Sequence, residues 1–111
     1  MTSLQNRLRA FGAELAGTCS EVWHYNRPTR TRPPFLVWAE DGEGDMSLNA
    51  DNAKAEQTIH GYIDYFTLTE FDSAVDDIQD VLAAHGSEWR LNDVQKEEET
   101  NLLHYSWEFN I

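Results

Sequence analysis

The sequence predicts an α+β domain in which two helices pack on a mostly antiparallel, curved sheet, in the order α-β-β-β-α-β-β. Apolar residues recur at helical spacing in segments 2–16 and 71–85. In segments 57–68 and 102–111 apolar and polar residues alternate instead, as in half-buried strands. Short turns join neighbouring strands, which favours antiparallel pairing, and the 111-residue length suits a single domain spanning 1–111.

The first helix, over residues 2–16, carries one apolar stripe that is expected to face the core. Thr2 with Gln5 predicts a capping box at its start, and Gly17 predicts its end. The stripe consists of Leu4, Leu8, Phe11 and Leu15.

Two strands, over 19–25 and 35–40, are expected to flank an exposed loop over 26–34. The loop holds three prolines and three arginines, a composition that excludes a helix and a central strand. The second strand is apolar on both faces until Glu40, so it is expected to be a covered central strand. The stretch 41–52, rich in glycine, acids and asparagine, is expected to be a loop.

The second helix, over 71–85, follows the central strand 57–68 and begins after capping groups in 69–72. Gly86 predicts its end. Its apolar stripe is Phe71, Val75, Ile78 and Leu82, and its outer face is Asp72, Asp76, Asp77 and Asp80.

The chain finishes with strands over 89–95 and 102–111, joined by a polar turn over 96–101. Five apolar side chains alternate along the last strand. A slip of one residue would expose all five, so the register of this strand is firmly specified.

The net charge of −12, from 8 basic and 20 acidic residues, is unevenly distributed. Residues 1–32 carry five arginines and two glutamates, whereas residues 33–111 carry three basic and 18 acidic residues. A mostly acidic surface disfavours nucleic-acid binding, which needs a cationic footprint. The basic zone of one copy would attract the acidic surface of another. The plainer interpretation is an acidic surface that keeps the protein soluble.

The sequence offers no convincing site for catalysis, a cofactor or a metal. The lone Cys19 excludes an internal disulfide, and packing is favoured over a nucleophilic role. The four histidines lack metal-binding spacing, and the acids of 40–51 miss the EF-hand spacing. Because these motifs are missing, no cofactor is expected. No segment is long and apolar enough to span a membrane, and the N-terminal segment lacks an apolar signal core, so a cytosolic protein is expected.

The loop over 26–34 supplies candidate contact residues, Arg27, Arg30 and Arg32. A stiff, basic, exposed loop suits contact with carboxylates, because guanidinium groups bind them through paired hydrogen bonds. The alternative is a plain connector between two strands.

Several different short motifs, with the helix over 75–82 between the last two of them, are distributed along nearly the whole chain. They are Val22-Trp23, Pro33-Pro34-Phe35-Leu36-Val37-Trp38, Ala50-Asp51-Asn52, Gly61-Tyr62-Ile63-Asp64-Tyr65-Phe66-Thr67 and Tyr105-Ser106-Trp107-Glu108-Phe109. In this pattern the chain resembles the small tail-completion, tail-terminator-like and head–tail joining proteins of siphophages and prophages of Gram-positive bacteria. Members of that family often carry lysine after the long strand, where this chain has Leu68-Thr69-Glu70, so the charge of that surface differs.

The resemblance implies a virion structural protein without catalytic activity. Such proteins assemble as rings, commonly hexamers, at the head-proximal end of the tail tube, where they cap tube polymerisation and join tail to head. The implied partners are further copies of the chain, the tail tube protein and head-completion or connector proteins. The implied location is the virion tail, after assembly in the host cytoplasm. DNA would pass through the ring without specific binding, since an acidic bore repels it.

A head-to-tail ring needs two different, complementary patches on each copy. The expected contact joins Arg27, Arg30 and Arg32 of one copy to an acidic surface of its neighbour. The candidate acceptors are Asp41, Asp45, Asp51 and Asn52 in the predicted loop, or Asp76 and Asp80 on the second helix. For Asp51 and Asn52 a local turn-forming role is the alternative.

Two other kinds of protein remain compatible with the sequence. One is another virion component, such as a head–tail connector or a tube subunit, although a tube subunit would have a larger two-sheet surface. The other is a small cytosolic protein-binding domain unrelated to phage. Ring formation by the purified protein would favour the tail-completion interpretation.

Overall fold

A computed structural model describes residues 3–44, 48–50, 53–85 and 88–111, with the backbone alone described for 48–50 and 53–56. Within these residues the chain forms two helices and seven strands. They are α1 (Leu4–Leu15), β1 (Val22–His24), β2 (Phe35–Glu43), β3 (Leu48–Ala50), β4 (Ala53–Glu56), β5 (Ile59–Thr67), α2 (Ser73–His85), β6 (Glu88–Lys96) and β7 (Leu103–Asn110).

Five of the strands form one mixed sheet in the order β1-β2-β5-β7-β6. β1 pairs with β2 in parallel, and the other three pairings are antiparallel. For this sheet and the two helices, the predicted α+β class and the order α-β-β-β-α-β-β are confirmed. The long strand β5 lies at the centre, between β2 and β7, as its composition predicts.

The predicted loop over 41–52 is wrong where the structure describes it, because 41–43 and 48–50 are strand; residues 45–47 and 51–52 lie outside the described residues. β2 continues to Glu43, past an irregularity in its pairing with β5 between Glu40 and Gly42. β3 and β4 then pair as a separate two-stranded antiparallel sheet. This pairing depends on backbone hydrogen bonds, so the polar residues and glycines here carry no period-two apolar signal.

The hydrophobic core lies between the two helices and one face of the five-stranded sheet, here called the helix side. Along β5, buried positions alternate with half-buried or exposed ones, as predicted. A Cβ added at Gly61 would lie 2.4 Å from the carbonyl oxygen of Ala39, so close strand packing requires glycine there. The core consists of Leu8, Phe11, Leu15, Leu36, Trp38, Ile59, Ile63, Tyr65, Ala74, Ile78, Leu82, Trp107, Phe109 and Ile111.

α1 packs its predicted stripe on the sheet, except at its first residue. The buried members are Leu8, Phe11 and Leu15. Leu4, in the first turn, is exposed. The cap is Ser3, whose Oγ accepts a 3.3 Å hydrogen bond from the backbone N–H of Asn6. The predicted cap residue Thr2 lies outside the described residues.

α2 begins at Ser73, two residues later than predicted. Oδ1 of Asp72 accepts a 2.9 Å hydrogen bond from the N–H of Ala74, so the helix starts after this cap. Phe71 therefore lies outside the helix and is 92% exposed, which corrects its placement in the apolar stripe. The buried residues of α2 are Ala74, Ile78 and Leu82. The predicted stop, Gly86, lies outside the described residues.

The C-terminal hairpin of β6 and β7 is confirmed. β7 is half-buried to buried along its length, whereas β6 is almost wholly exposed and forms one edge of the sheet. β1 forms the other edge. In the described part of the chain, no helix is both long and apolar enough to cross a membrane.

Candidate functional site

The loop between β1 and β2, residues 26–34, is called here the arginine arm. It leaves β1 through Tyr25, whose φ of 72° reverses the chain and whose N–H donates to the carbonyl of Trp38 at 2.8 Å. Within the arm, the N–H and hydroxyl of Thr31 both donate to the carbonyl of Pro28, at 3.1 and 2.7 Å. These local hydrogen bonds hold the arm in a defined turn, without backbone pairing to a neighbouring strand.

Arg27 anchors the arm on the sheet. Its guanidinium lies 4.5 Å from the ring centroid of Phe35, an attractive cation–π distance. Arg30 and Arg32 are exposed, and neither forms an ion pair with another described residue. The structure thus leaves two of the three predicted contact arginines available to a partner.

A stack of planar groups lies beneath the arm, on the face opposite the helix side. The Phe35 and Phe66 rings stack at 4.7 Å, and Phe66 stacks on His104 at 4.2 Å. Nε2 of His104 lies 2.8 Å from Oδ1 of Asp64. The arm and this stack border an open groove of about 510 Å³.

The acidic candidates are distributed over separate parts of the fold. Asp41, on β2, is bound to Nδ1 of His60 at 2.5 Å, and Nε2 of the same histidine lies 3.2 Å from Glu108. The hydrogen bond to Asp41 is the main cause that raises the pKa of His60. Asp41 is therefore already engaged within the fold.

Asp76 and Asp80 are exposed on the outer face of α2, as predicted. Neither pairs with the arginine arm of its own chain. The remaining candidates, Asp45, Asp51 and Asn52, lie outside the described residues.

All four histidines are paired with carboxylates. The pairs are His24–Glu40, His60–Asp41, His85–Glu14 and His104–Asp64. Each pair joins two different secondary-structure elements, so the histidines form contacts between neighbouring elements of the fold. The described residues contain no cluster of three or more side chains arranged to hold a metal ion.

Cys19 is half-buried, and its thiol lies 3.5 Å from the carbonyl oxygen of Glu21. Burial is the main cause that raises the pKa of this thiol. A raised pKa keeps sulfur in the protonated, weakly nucleophilic form, which agrees with the packing role that the sequence favours.

A second exposed surface, which the sequence did not reveal, lies on the helix side, beside the turn between β6 and β7 and the segment that follows β5. It is called here the Phe71 patch. It borders a groove of about 390 Å³ lined by Leu68, Glu70, Phe71, Lys96, Asn101, Leu103 and Tyr105. Val94, which pairs with Tyr105 across β6 and β7, continues the exposed apolar surface. The positive φ of 57° at Phe71 is invisible in a spacing pattern.

The fold is similar to that of a chain in the solved structure of the virion of a native gene transfer agent (GTA) particle. The two chains share 13% sequence identity with a TM-score of 0.50, and the match covers 96% of this chain and 87% of that chain. No protein-family model and no curated protein matches this chain. At this level of identity the likeness establishes a common fold.

Proposed function

We propose that this protein is a virion structural component of phage or prophage origin, of the tail-completion or tail-terminator type. The observation that carries the proposal is the fold, shared with a GTA virion chain over 96% of this chain and 87% of that one. Agreement over nearly the full length of both chains supports a common domain rather than a common supersecondary motif. The motifs at 22–23, 33–38 and 61–67 support the narrower assignment.

In this role, copies of the chain assemble head to tail into a ring, with six as the expected number, at the head-proximal end of the tail tube. The ring stops tube growth and joins the tail to head-completion or connector proteins. The charge distribution supports such an assembly, because each copy carries a basic arm and an otherwise acidic surface. The function is mechanical and needs no catalytic step or cofactor.

The arginine arm of one copy meets carboxylates of its neighbour in this assembly. Asp76 and Asp80 are better acceptors than Asp41, because both are exposed and free of ion pairs with described residues. Asp41 would first have to leave His60. Contact between exposed charges also makes the assembly sensitive to ionic strength.

An acidic bore suits the passage of DNA. The chain has a net charge of −12, and like charge lowers the affinity of a surface for phosphate groups. DNA therefore moves through the ring without being retained, and the protein needs no sequence-specific contact.

The experiment that tests this function is native mass spectrometry combined with negative-stain microscopy of the purified protein, alone and with tail tubes. We expect rings in solution or at one end of the tubes, and shorter tubes when the protein is present during polymerisation. A protein that forms no ring and leaves tube ends and tube length unchanged would overturn the proposal. A strict monomer that captures an unrelated small protein would point to a binding domain instead.

A further inference from the structure

Phe71 is almost fully exposed although its side chain is large and aromatic. Its side chain is 92% exposed, and its φ of 57° is unfavourable for a bulky residue. Large aromatic rings at strained, exposed positions are typical of contact sites, since they contribute little to the stability of the isolated chain. The neighbouring Leu68 is also exposed, so the ring belongs to a larger apolar surface.

We infer that the Phe71 patch receives the arginine arm of a second copy of this chain. The inference rests on the proposed head-to-tail ring, and it assigns the arm to the carboxylates around the patch in place of Asp76 and Asp80.

The first argument is chemical complementarity with the apolar part of the arm. The groove at the patch has aromatic and aliphatic walls, formed by Phe71, Tyr105 and Leu103. The arm contains Pro28 and ends in Pro33-Pro34. Proline-rich segments bind aromatic grooves because they are stiff and lose little conformational freedom on binding.

The second argument is charge. Glu70 lines the groove, and the adjacent β6–β7 turn carries three successive exposed glutamates at 97–99. Lys96 is the cation that lines the groove, so this rim is acidic overall. Arg30 and Arg32 of the arm are exposed and unpaired among described residues, and their guanidinium groups suit these carboxylates.

The third argument is the position of the two surfaces in the sheet. Phe35, where the arm ends, pairs with Phe66 on β5, and Thr67 on the same strand pairs with Leu103 of the patch. Both surfaces therefore lie at the same end of the sheet. They lie on opposite faces of the sheet, because the groove beside the arm is lined by Val37 and Phe66, whereas the patch is lined by Leu103 and Tyr105 on the helix side.

This placement separates the arm from the patch of the same chain. The arm packs through Arg27 on the face opposite the helix side, so the sheet lies between the two surfaces. A second copy, rotated about an axis roughly along the strands, brings its arm to the patch at the same height. Because the two patches differ, the contact is head to tail and can be repeated around a ring.

The experiment is photo-crosslinking from position 71 in the full chain. Phe71 is replaced by p-benzoylphenylalanine, the sample is irradiated under conditions that favour self-association, and the linked peptides are identified by mass spectrometry. The inference predicts an interchain link to the arm, residues 26–34. The same photoreactive residue at Tyr62, on the face that carries the arm of its own chain, is the control and should give no interchain link to the arm of a second copy. Interchain links from position 71 to another segment, or none, overturn the inference.

A mixing experiment tests whether the two surfaces recognise each other. One variant, Phe71→Ala, has a damaged patch and an intact arm. The other, Arg30→Glu with Arg32→Glu, has a damaged arm and an intact patch. Each alone should self-associate about 30-fold more weakly than the wild type, as expected for loss of a contact hot spot. Their equimolar mixture should form a 1:1 dimer through the one intact pair of surfaces, and a mixture that stays monomeric overturns the inference.

The two proposals fail in different ways. Rings whose links from position 71 avoid the arm would leave the proposed function standing and remove this contact. An arm–patch link in an assembly that forms no ring and does not bind tubes would establish the contact and remove the tail-completion role.

Discussion

The hydroxyl of Tyr65 donates a 2.6 Å hydrogen bond to Oδ2 of Asp72. The same oxygen accepts a 2.7 Å bond from the hydroxyl of Thr67, while Oδ1 caps α2 through the N–H of Ala74. Burial alone would raise the pKa of Asp72, but these three hydrogen bonds outweigh it and hold that pKa below its usual value. One carboxylate thus joins the end of β5 to the start of α2.

Asp72→Ala is expected to lower the free energy of unfolding by about 2–4 kcal/mol. The change removes a helix cap and leaves the hydroxyls of Tyr65 and Thr67 without their acceptor. Urea unfolding at neutral pH measures the effect. Asp76→Ala, exposed in the first turn of the same helix, is the matched control and should cost less than about 1 kcal/mol. Equal losses in the two variants would contradict this role of Asp72.

The same carboxylate predicts a loss of stability in acid. A depressed folded-state pKa contributes stability that is present above the unfolded pKa and disappears as the pH falls through the folded value. The difference in unfolding free energy between the wild type and Asp72→Asn should therefore shrink as the pH is lowered through this range. A difference that stays constant down to strongly acidic pH would argue against an ionised Asp72.

His60 predicts a pH dependence of the opposite sign. Its pKa lies above the ordinary 6.5, chiefly through the hydrogen bond to Asp41. The contribution of the charged pair is complete below the unfolded pKa and is lost as the pH rises through the folded value. The wild type should thus exceed His60→Gln in melting temperature by more at mildly acidic than at mildly alkaline pH, with a contribution below about 1 kcal/mol. Asp41→Asn should weaken the same pH dependence, and a pH-independent difference would contradict the pairing.

Two glycines on paired strands predict opposite responses to the same substitution. A Cβ at Gly61 would lie 2.4 Å from the Ala39 carbonyl oxygen, which the sheet ladder holds in place. Gly61→Ala should therefore destabilise the fold by about 1–3 kcal/mol. At Gly42 nothing lies within 4 Å of the added carbon, so Gly42→Ala should change the unfolding free energy by less than about 0.5 kcal/mol. Chemical denaturation of both variants measures the contrast.

The sequence predicts those elements that bury one regular face. Ile63 and Tyr65 on β5 are buried, as the alternation of apolar and polar residues predicts, because one face of this strand packs on the core. Phe71 has the right spacing for the stripe of α2, but the cap at Asp72 starts the helix after it. Spacing alone does not reveal which of several polar residues caps a helix, so the patch around Phe71 could not be predicted.

Contacts that depend on strand register could not be predicted from the sequence either. The groups Arg27, Phe35, Phe66 and His104 come from four separate segments, and only the pairing of β2, β5 and β7 brings them into one stack. Arg7 lies off the apolar stripe of α1, so its spacing predicts no contact with the rest of the fold. Its guanidinium instead donates to the carbonyl of Ile111 at 2.7 Å, a bond that a helical pattern does not indicate.

Reversing the charge of the arm is expected to weaken assembly. The variant Arg27→Glu, Arg30→Glu, Arg32→Glu replaces three positive charges with negative ones, so attraction to an acidic neighbour becomes repulsion. Native mass spectrometry at physiological salt should show mainly monomers where the wild type forms the larger assembly. Arg27 also packs on Phe35, so thermal unfolding must first establish that the variant is folded.

The double variant Arg30→Glu, Arg32→Glu separates assembly from folding. Both side chains are exposed and unpaired among the described residues, so this variant should unfold at nearly the wild-type temperature and still lose self-association. Arg9→Glu, at an exposed arginine on α1 outside the arm, changes the net charge by the same amount as Arg30→Glu alone and, compared with that single variant, should assemble normally. If the triple variant forms the wild-type oligomer, the arm does not make the subunit contact. If Arg9→Glu abolishes assembly as effectively as the double variant, overall charge and not the arm controls self-association.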